Sequence, residues 1–433
     1  MPTTNSSAYV WIYLPDQIDP VVAGRLDYDE TPASPIFSFL YGRSYLDRQA
    51  AIPLDPERLP LERGRRFESP DLYGILGVIR DASPDDWGRR VIEKRLAVTE
   101  ASELTYLVET GDDRAGALGF SERSDSPPNR QLPPERTDLE TLLSAAAAIE
   151  AGQPIDPAVV MLLKHGWSLG GARPKATIHM DDELWLAKFP SAKDRLEIAA
   201  IEYATLTLAA QCGIETPELK LIDVGNRKVM LTQRFDRVRA SKGFARMHFM
   251  SGLTLLGLRE DEASRGSYPA LADSLRKLVE DFKHDGEQLF RRMIFNMLVS
   301  NDDDHLRNHA VIFDKAGWRL SPAYDLMPHP QSSYTRMQGI GVSSQSREAT
   351  LKNALSEAAR FGLKVQRATE IAIQVRDHVL EWEAVFRESG VSATDIDALR
   401  TAFLPESVVT SFSQAGARQS LGARSGTKTD GRR

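Results

Sequence analysis

A single cysteine, Cys212, stands in 433 residues. That excludes an intrachain disulfide framework and any metal site built from several thiolates, and it suits a reducing cytosol. No apolar run approaches the ~20 residues of a membrane span, so no membrane association is expected. The opening stretch, Met1 to Pro15, has no basic segment ahead of an apolar core, so no secretory signal is expected and the location reads as cytoplasmic. Positive charge is also scarce. Lys and Arg number 54 against 61 Asp and Glu, a net charge of −7, which excludes a body that grips nucleic acid through a basic face of its own. Internal repeats are lacking too.

What remains is a chain with 42% hydrophobic residues, long enough at ~150 residues per domain for about three domains or lobes. The organisation follows from punctuation along the chain. Residues 8–122 alternate short apolar runs, such as Tyr9 to Tyr13, with polar turns. Ser83-Pro-Asp-Asp86 is a helix-start signal for the amphipathic stretch Trp87 to Leu96. Ser124 to Arg136, with four prolines, reads as an extended connection. Helices are expected over Leu139–Ile149 and Pro157–Lys164, then a hairpin of Ala176–Met180 and Leu184–Phe189. A helix from near Ser191 should end at Gly213, with Pro217 barring its continuation. Strands follow at Leu219–Val224 and Lys228–Phe235. Beyond residue 245 helices dominate: Leu271–Phe282, Gly286–Val299, Glu348–Phe361, Lys364–Glu388 and Ala393–Phe403. Strands followed by helices argue for a two-lobed α+β unit. The last 17 residues carry a net +4, leaving −11 for residues 1–416, and their Gly, Ser and Thr content reads as a disordered tail.

Four features carry chemistry, and their order matters more than any one of them. Ser168-Leu-Gly-Gly-Ala-Arg-Pro-Lys175 places paired glycines where backbone N–H groups can approach an anion, with Arg173 or Lys175 to add charge, although an ordinary glycine turn has the same look. Lys188 shares a strand face with Leu184 and Leu186, which costs desolvation unless an anion pairs with it or the side chain snorkels to water. Glu202 lies beside the buried stripe of the following helix and can reach back to Lys188. Finally, Asp303 and Asn308 stand in the spacing D-x-x-x-x-N, and Asp325 follows after an apparent hairpin (Ala310–Phe313, Arg319–Leu320). In protein kinases such an Asp accepts the hydroxyl proton, while the Asn and the second Asp hold the metal that bridges the nucleotide phosphates. A calcium loop fails, because neither the glycine nor the glutamate it requires is in place when counted from Asp302 or Asp304.

With these residues in view, the chain resembles the HipA family of bacterial serine/threonine kinases, the toxin halves of toxin–antitoxin pairs. The resemblance runs from about Ala8 to Leu404. It is most specific at Ser168 to Lys175, Leu231-Thr-Gln-Arg-Phe-Asp-Arg237, Asn301 to Asn308 and Ala323-Tyr-Asp-Leu326, and it includes Gly111-Asp-Asp-Arg-Ala-Gly-Ala-Leu118 in the first domain. It implies ATP and Mg²⁺ as cofactors. Asp303 is then the general base, Asn308 and Asp325 are the metal ligands, and Lys188, oriented by Glu202, contacts the α/β-phosphates. Gly170, Gly171, Ala172, Arg173, Pro174 and Lys175 cover the phosphates. Gln233, Arg234 and Phe235 line the adenine through backbone groups, with His305, Leu306, Arg307 and Tyr324 completing the nucleotide site. Ser168 matches the family's autophosphorylation position, and a phosphate there adds about −1.5 to −2 charge to a loop meant for ATP phosphates. Leu306-Arg307 departs from the small residue and lysine usual before the asparagine. In the run Asp302-Asp303-Asp304, only Asp303 has the right offset from Asn308.

The resemblance further implies a growth-arresting toxin, linked to persistence. Its substrate would be a translation component such as an aminoacyl-tRNA synthetase, and its antidote a HipB-like helix-turn-helix antitoxin through which alone DNA is contacted. Two other readings use the same residues: a small-molecule phosphotransferase, and a nucleotide-binding scaffold acting as co-repressor with a DNA-binding partner. The expected fold is an α+β, two-lobed, protein-kinase-like fold with an additional amino-terminal α/β domain. It divides into 1–123 (amino-terminal domain), 124–138 (connection), 139–240 (strand-rich lobe), 241–405 (helical lobe) and 406–433 (tail).

Overall fold

The computed structural model describes residues 7–29, 36–69, 72, 74–128, 133–135, 138–153, 171 and 173–410. The chain forms two compact units. The first comprises Met1–Tyr203, Pro217–Glu262 and Leu306–Pro322, the second Ala204–Thr216, Ala263–His305 and Ala323–Arg433.

All the named strands fall in the first unit. A five-stranded antiparallel sheet has the order β4-β3-β2-β1-β5, from β1 (Ser7–Ile12), β2 (Val21–Asp29), β3 (Ile36–Tyr41), β4 (Arg66–Glu68) and β5 (Leu118–Ser121). A four-stranded sheet, β6-β7-β9-β8, is built from β6 (Lys175–Met180), β7 (Glu183–Lys188), β8 (Leu219–Val224) and β9 (Arg227–Gln233). The hairpin β10 (Arg237–Ala240) and β11 (Gly243–Arg246) follows, then a three-stranded sheet of β12 (His248–Ser251), β13 (Ala310–Asp314) and β14 (Gly317–Leu320).

The four-stranded sheet owes its stability to alternation. Trp185, Ala187 and Phe189 point to one face and are buried with Ala176, Ile178 and Leu231 against Trp87, Val91 and Ile92 of the helix Asp86–Leu96 and against Leu139 and Leu142 of the helix Leu139–Glu150. Asp85 starts the first of these helices as its N-cap, accepting from the Gly88 N–H at 2.8 Å.

Among the described residues the second unit contains helices and no named strand. They are Tyr268–Leu278, Phe282–Leu298, Leu351–Ser356, Val365–Val379, Trp382–Glu388 and Ala393–Leu399, together with the later turns of Ile198–Gln211. Several boundaries differ from expectation for identifiable reasons. The helix expected from Ser191 begins only at Ile198, because the Ser191 hydroxyl donates to Glu150 at 2.8 Å and its N–H to Asp194 at 2.9 Å, ties that favour a turn. It ends where Gly213, at φ +76°, supplies the left-handed residue. The helix expected at Leu271 starts at Tyr268, since Ser267 caps it and Pro269 fits its first turn. The run Lys364–Glu388 is two helices, and the second turns Trp382 onto Phe403 in a stack with centroids 3.9 Å apart. The segment Glu348–Phe361 is a short helix capped by Thr350 and then a 3₁₀ turn, Ala358–Phe361. The helix expected at Pro157–Lys164 and the tail beyond residue 410 lie outside the described residues.

Candidate active site

In the first unit, Lys188 ends β7 and forms a close ion pair with Glu202, on the helix Ile198–Gln211. Glu202 is 3% exposed, so this carboxylate keeps its charge in a dry setting only with a cation beside it. Directly across the hairpin from Lys188 stands Lys175. Two like charges in that register would repel, but each has its own carboxylate. Lys175, 1% exposed, pairs with Asp85 at 2.6 Å and donates to the Gly171 carbonyl at 2.9 Å. Burial raises Asp85 above the usual carboxylate range, with Lys175 pulling the other way. Arg173 pairs with Asp194 at 2.7 Å, so both cations of the loop carry carboxylate partners. Pro174 is buried, its carbonyl accepting from the Phe189 N–H at 2.9 Å. Ser168, Gly170 and Ala172 lie outside the described residues.

Gln233 ends β9, and the Arg234 N–H still bonds the Leu184 carbonyl of β7 at 2.8 Å. Arg234 turns inward into a buried charge network that joins two of the motifs noted above. Its guanidinium bonds Asp113, Asp236 at 2.8 and 3.0 Å, and the Arg114 carbonyl at 2.9 Å. Arg237 bonds Asp236 at 2.7 Å and the same Arg114 carbonyl at 2.7 Å. Arg246 bonds Asp112 at 2.5 Å, and the Gly116 N–H donates to Asp236 at 2.8 Å. Gly116 has φ +75°, and a Cβ there would stand 2.8 Å from the Phe249 Cβ. Burial works against the charge on Arg234, yet Asp113 and Asp236 outweigh it and hold its pKa above the ordinary value. Burial likewise opposes ionised Asp236, and Arg234 and Arg237 hold its carboxyl below the usual range. Phe235 is half-buried between these charged neighbours.

This unit also holds the 3₁₀ turn Leu306–Asn308 that leads into β13. Leu306 and Asn308 are buried, and Arg307 pairs closely with Glu260.

In the second unit the helix Phe282–Leu298 delivers the chain to Asp303. No glycine ends this helix. Ser300, at φ +50°, makes the turn instead, and the Asn301 N–H returns to the Asn296 carbonyl at 2.9 Å. The three consecutive aspartates have three different fates. Asp302 accepts from His329 Nδ1 and Gln331 Nε2, each at 2.6 Å. Asp304 is fully buried and accepts from the Tyr268 hydroxyl. Asp303 is the exposed one. His305 is half-buried, as are Tyr324 and Asp325, and Asp325 has φ +58°, a strained conformation for a residue with a Cβ.

Sequence spacing thus located the Lys188–Glu202 pair. It gave no sign of the partners Asp85, Asp113 and Asp236, nor of Tyr268 and Asn296, which touch the aspartate loop without belonging to any motif. Asn308 and Asp325 offer oxygen donors, the hard ligand chemistry that suits Mg²⁺.

A strand-rich unit with a strand lysine salt-bridged to a helix glutamate, and a helical unit with Asp303 exposed on the loop after its long helix, belong to the kinase class of folds. Against solved structures, the chain superimposes with a TM-score of 0.69 on a chain of the Shewanella oneidensis complex of HipA, HipB and operator DNA, covering 94% of this chain and 98% of that one at 17% identity. Two sequence families match in tandem, the HipA N-terminal domain over residues 17–121 and the HipA-like C-terminal domain over residues 167–382. The chain belongs to the HipA family of kinases. Among its relatives, the candidate kinase Y4mE of Sinorhizobium fredii is 25% identical over 356 residues, 76% of this chain and 82% of that protein. The serine/threonine-protein kinase toxin HipA of Shewanella oneidensis is 21% identical over 340 residues, 71% of this chain and 73% of that one. No described helix is long and apolar enough to cross a membrane.

Proposed function

We propose that this chain is an ATP- and Mg²⁺-dependent serine/threonine protein kinase of HipA type. The observation that carries the reading is the Lys188–Glu202 ion pair, a cation fixed at a strand end by a buried carboxylate, as phosphoryl transfer requires of the residue that meets the α/β-phosphates. Asp303 accepts the proton of the substrate hydroxyl as its oxygen bonds the γ-phosphorus and the bond to ADP breaks. The exposure of Asp303 between two tethered aspartates supports that choice. When bound, Mg²⁺ supplies neutralisation of phosphate charge, and Asn308 and Asp325 are the residues that would hold it. Gly170 to Lys175 cover the phosphates through backbone groups, which accords with Lys175 and Arg173 being paired already. Gln233 to Phe235 line the adenine, His305 shapes the catalytic loop, Leu306 and Arg307 bear on how that loop meets the γ-phosphate, and Tyr324 flanks the metal ligand Asp325. The proposed domain division remains 1–123, 124–138, 139–240, 241–405 and 406–433.

The substrate in this reading is a translation component such as an aminoacyl-tRNA synthetase, phosphorylated in the cytoplasm so that growth stops. A HipB-like helix-turn-helix antitoxin restrains the kinase and carries any DNA contact. The likeness to a chain solved together with HipB and operator DNA supports such a partner, and the net charge of −7 accords with leaving DNA to it. Phosphorylation of Ser168 lowers ATP affinity by placing a dianion where ATP phosphates bind.

The test is transfer from γ-labelled ATP by the full chain and by Asp303→Asn, in lysate of the native host. Labelled Ser168 or a labelled cell protein with the wild type, abolished in Asp303→Asn, is the expected result. Labelled small molecules alone, or no labelling by the wild type, would overturn the proposal.

A further inference from the structure

Both chain neighbours of Asp303 are tethered, and one tether closes on itself. The Asn301 amide donates to Asn296 Oδ1 at 3.2 Å, the Asn296 amide donates to the Tyr268 hydroxyl at 2.9 Å, and that hydroxyl donates to the Asp304 carboxylate. The path leaves the loop at Asn301, crosses the helices Phe282–Leu298 and Tyr268–Leu278, and returns to the loop at Asp304. Each member donates to the next, so the polarity runs one way and ends on a group that, when ionised, only accepts. Asn296, Tyr268 and Asp304 are fully buried and Asn301 is 1% exposed, so water does not compete for these bonds.

A backbone contact adds to the tether. A Cβ on Gly339 would stand 2.4 Å from the Asp304 carbonyl oxygen and 2.9 Å from that of Asp302, so the chain at Gly339 lies directly against the loop. An apolar set of the same volume would pack this region without the cost of burying a carboxylate. What the polar ring adds is orientation.

We propose that Tyr268 is a positioning residue for Asp303. Through Asp304, and with Asn296 and Asn301 completing the ring, it fixes the loop so that the carboxylate of Asp303 faces outward in a single arrangement. The inference rests on the reading of Asp303 as the proton acceptor. Burial, with Asp304 adding to it, raises the Tyr268 phenol well above its ordinary value, so it stays a neutral donor at any physiological pH.

The test compares Tyr268→Phe, Asp304→Asn and Asp304→Ala with the wild type in the full chain. Turnover, KM for ATP and hydrogen–deuterium exchange over residues 299–309 are measured on the folded fraction. Tyr268→Phe removes one oxygen and is expected to lower kcat by about 10- to 100-fold, with KM for ATP unchanged within about twofold. Exchange should quicken only in the loop. Asp304→Asn keeps an acceptor for the phenol and should lose about tenfold less kcat than Asp304→Ala. Wild-type kcat and unchanged exchange in Tyr268→Phe would overturn the proposal, as would equal kcat in the two Asp304 variants should Tyr268→Phe not fold. If the wild type transfers no phosphoryl group, the kinase reading fails, and loop exchange alone then decides whether Tyr268 orders the loop.

Discussion

His248 illustrates how far one buried side chain can set a pH response. Its Nε2 lies 2.7 Å from the Leu54 carbonyl, and because a carbonyl only accepts, that nitrogen must carry the proton. Nδ1 is buried with no hydrogen-bond partner, and burial lowers the pKa below its ordinary value, with the Leu54 bond pulling the other way. The folded form therefore binds fewer protons than the unfolded chain once pH falls below about 6.5, the unfolded value. Stability from this group is fully present above that pH and is lost as pH falls toward the folded pKa. We expect the acid limb of a Tm–pH profile to begin near pH 6.5 and to flatten in His248→Gln. An unchanged limb in that variant would assign it to other groups. The aspartates at 302, 303 and 304 make a related point. Identical side chains in sequence differ in exposure and in surroundings: Asp304 is buried against Tyr268, Asp302 is half-buried against His329 and Gln331, and Asp303 is exposed.

At the scale of elements, the buried charges that tie the β9–β10 segment to the turn before β5 predict a severe variant. Asp236→Ala removes one of the two carboxylates that Arg234 and Arg237 share and leaves both buried guanidiniums to Asp113. Breaking a buried pair in this way costs about 3–5 kcal/mol, which should appear in urea denaturation as a lowered midpoint with little change in slope. The same network shows where reading from sequence reaches its limit. Periodicity placed the hairpin of β6 and β7, and helical spacing put Glu202 within reach of Lys188, because both are local patterns. The pairs Arg234–Asp113 and Lys175–Asp85 join residues 121 and 90 positions apart, and no local pattern can signal them. Helix ends were legible where Gly213 marked one. Helix starts were less so: the helix expected from Gly286 begins at Phe282, capped by Asp281, and Ser191 gave its bonds to Glu150 and Asp194.

At the scale of the whole molecule, the proposed function has a chain of net −7 bind a polyanion. Long-range attraction cannot help it, since charges more than ~8 Å apart are largely screened in physiological salt. On that proposal affinity comes from local cations and from the metal, which gives a global readout. At 100 times its Kd, MgATP should stabilise the folded chain by about 2.7 kcal/mol, seen as a higher Tm. The shift should shrink sharply when EDTA removes the metal and in Asp325→Ala. An equal shift without Mg²⁺ would count against Asp325 as a metal ligand.

Cys212, the sole cysteine of the sequence, is 2% exposed, and burial pushes its thiol up to about 12, with Arg291 pulling the other way. At neutral pH it presents almost no thiolate, the form that alkylating probes attack. The wild-type chain is thus a ready background for spectroscopy. A cysteine introduced at an exposed position such as Leu380, 57% exposed, meets no native competitor, so a fluorophore or spin label can report from one chosen point without any residue first being removed.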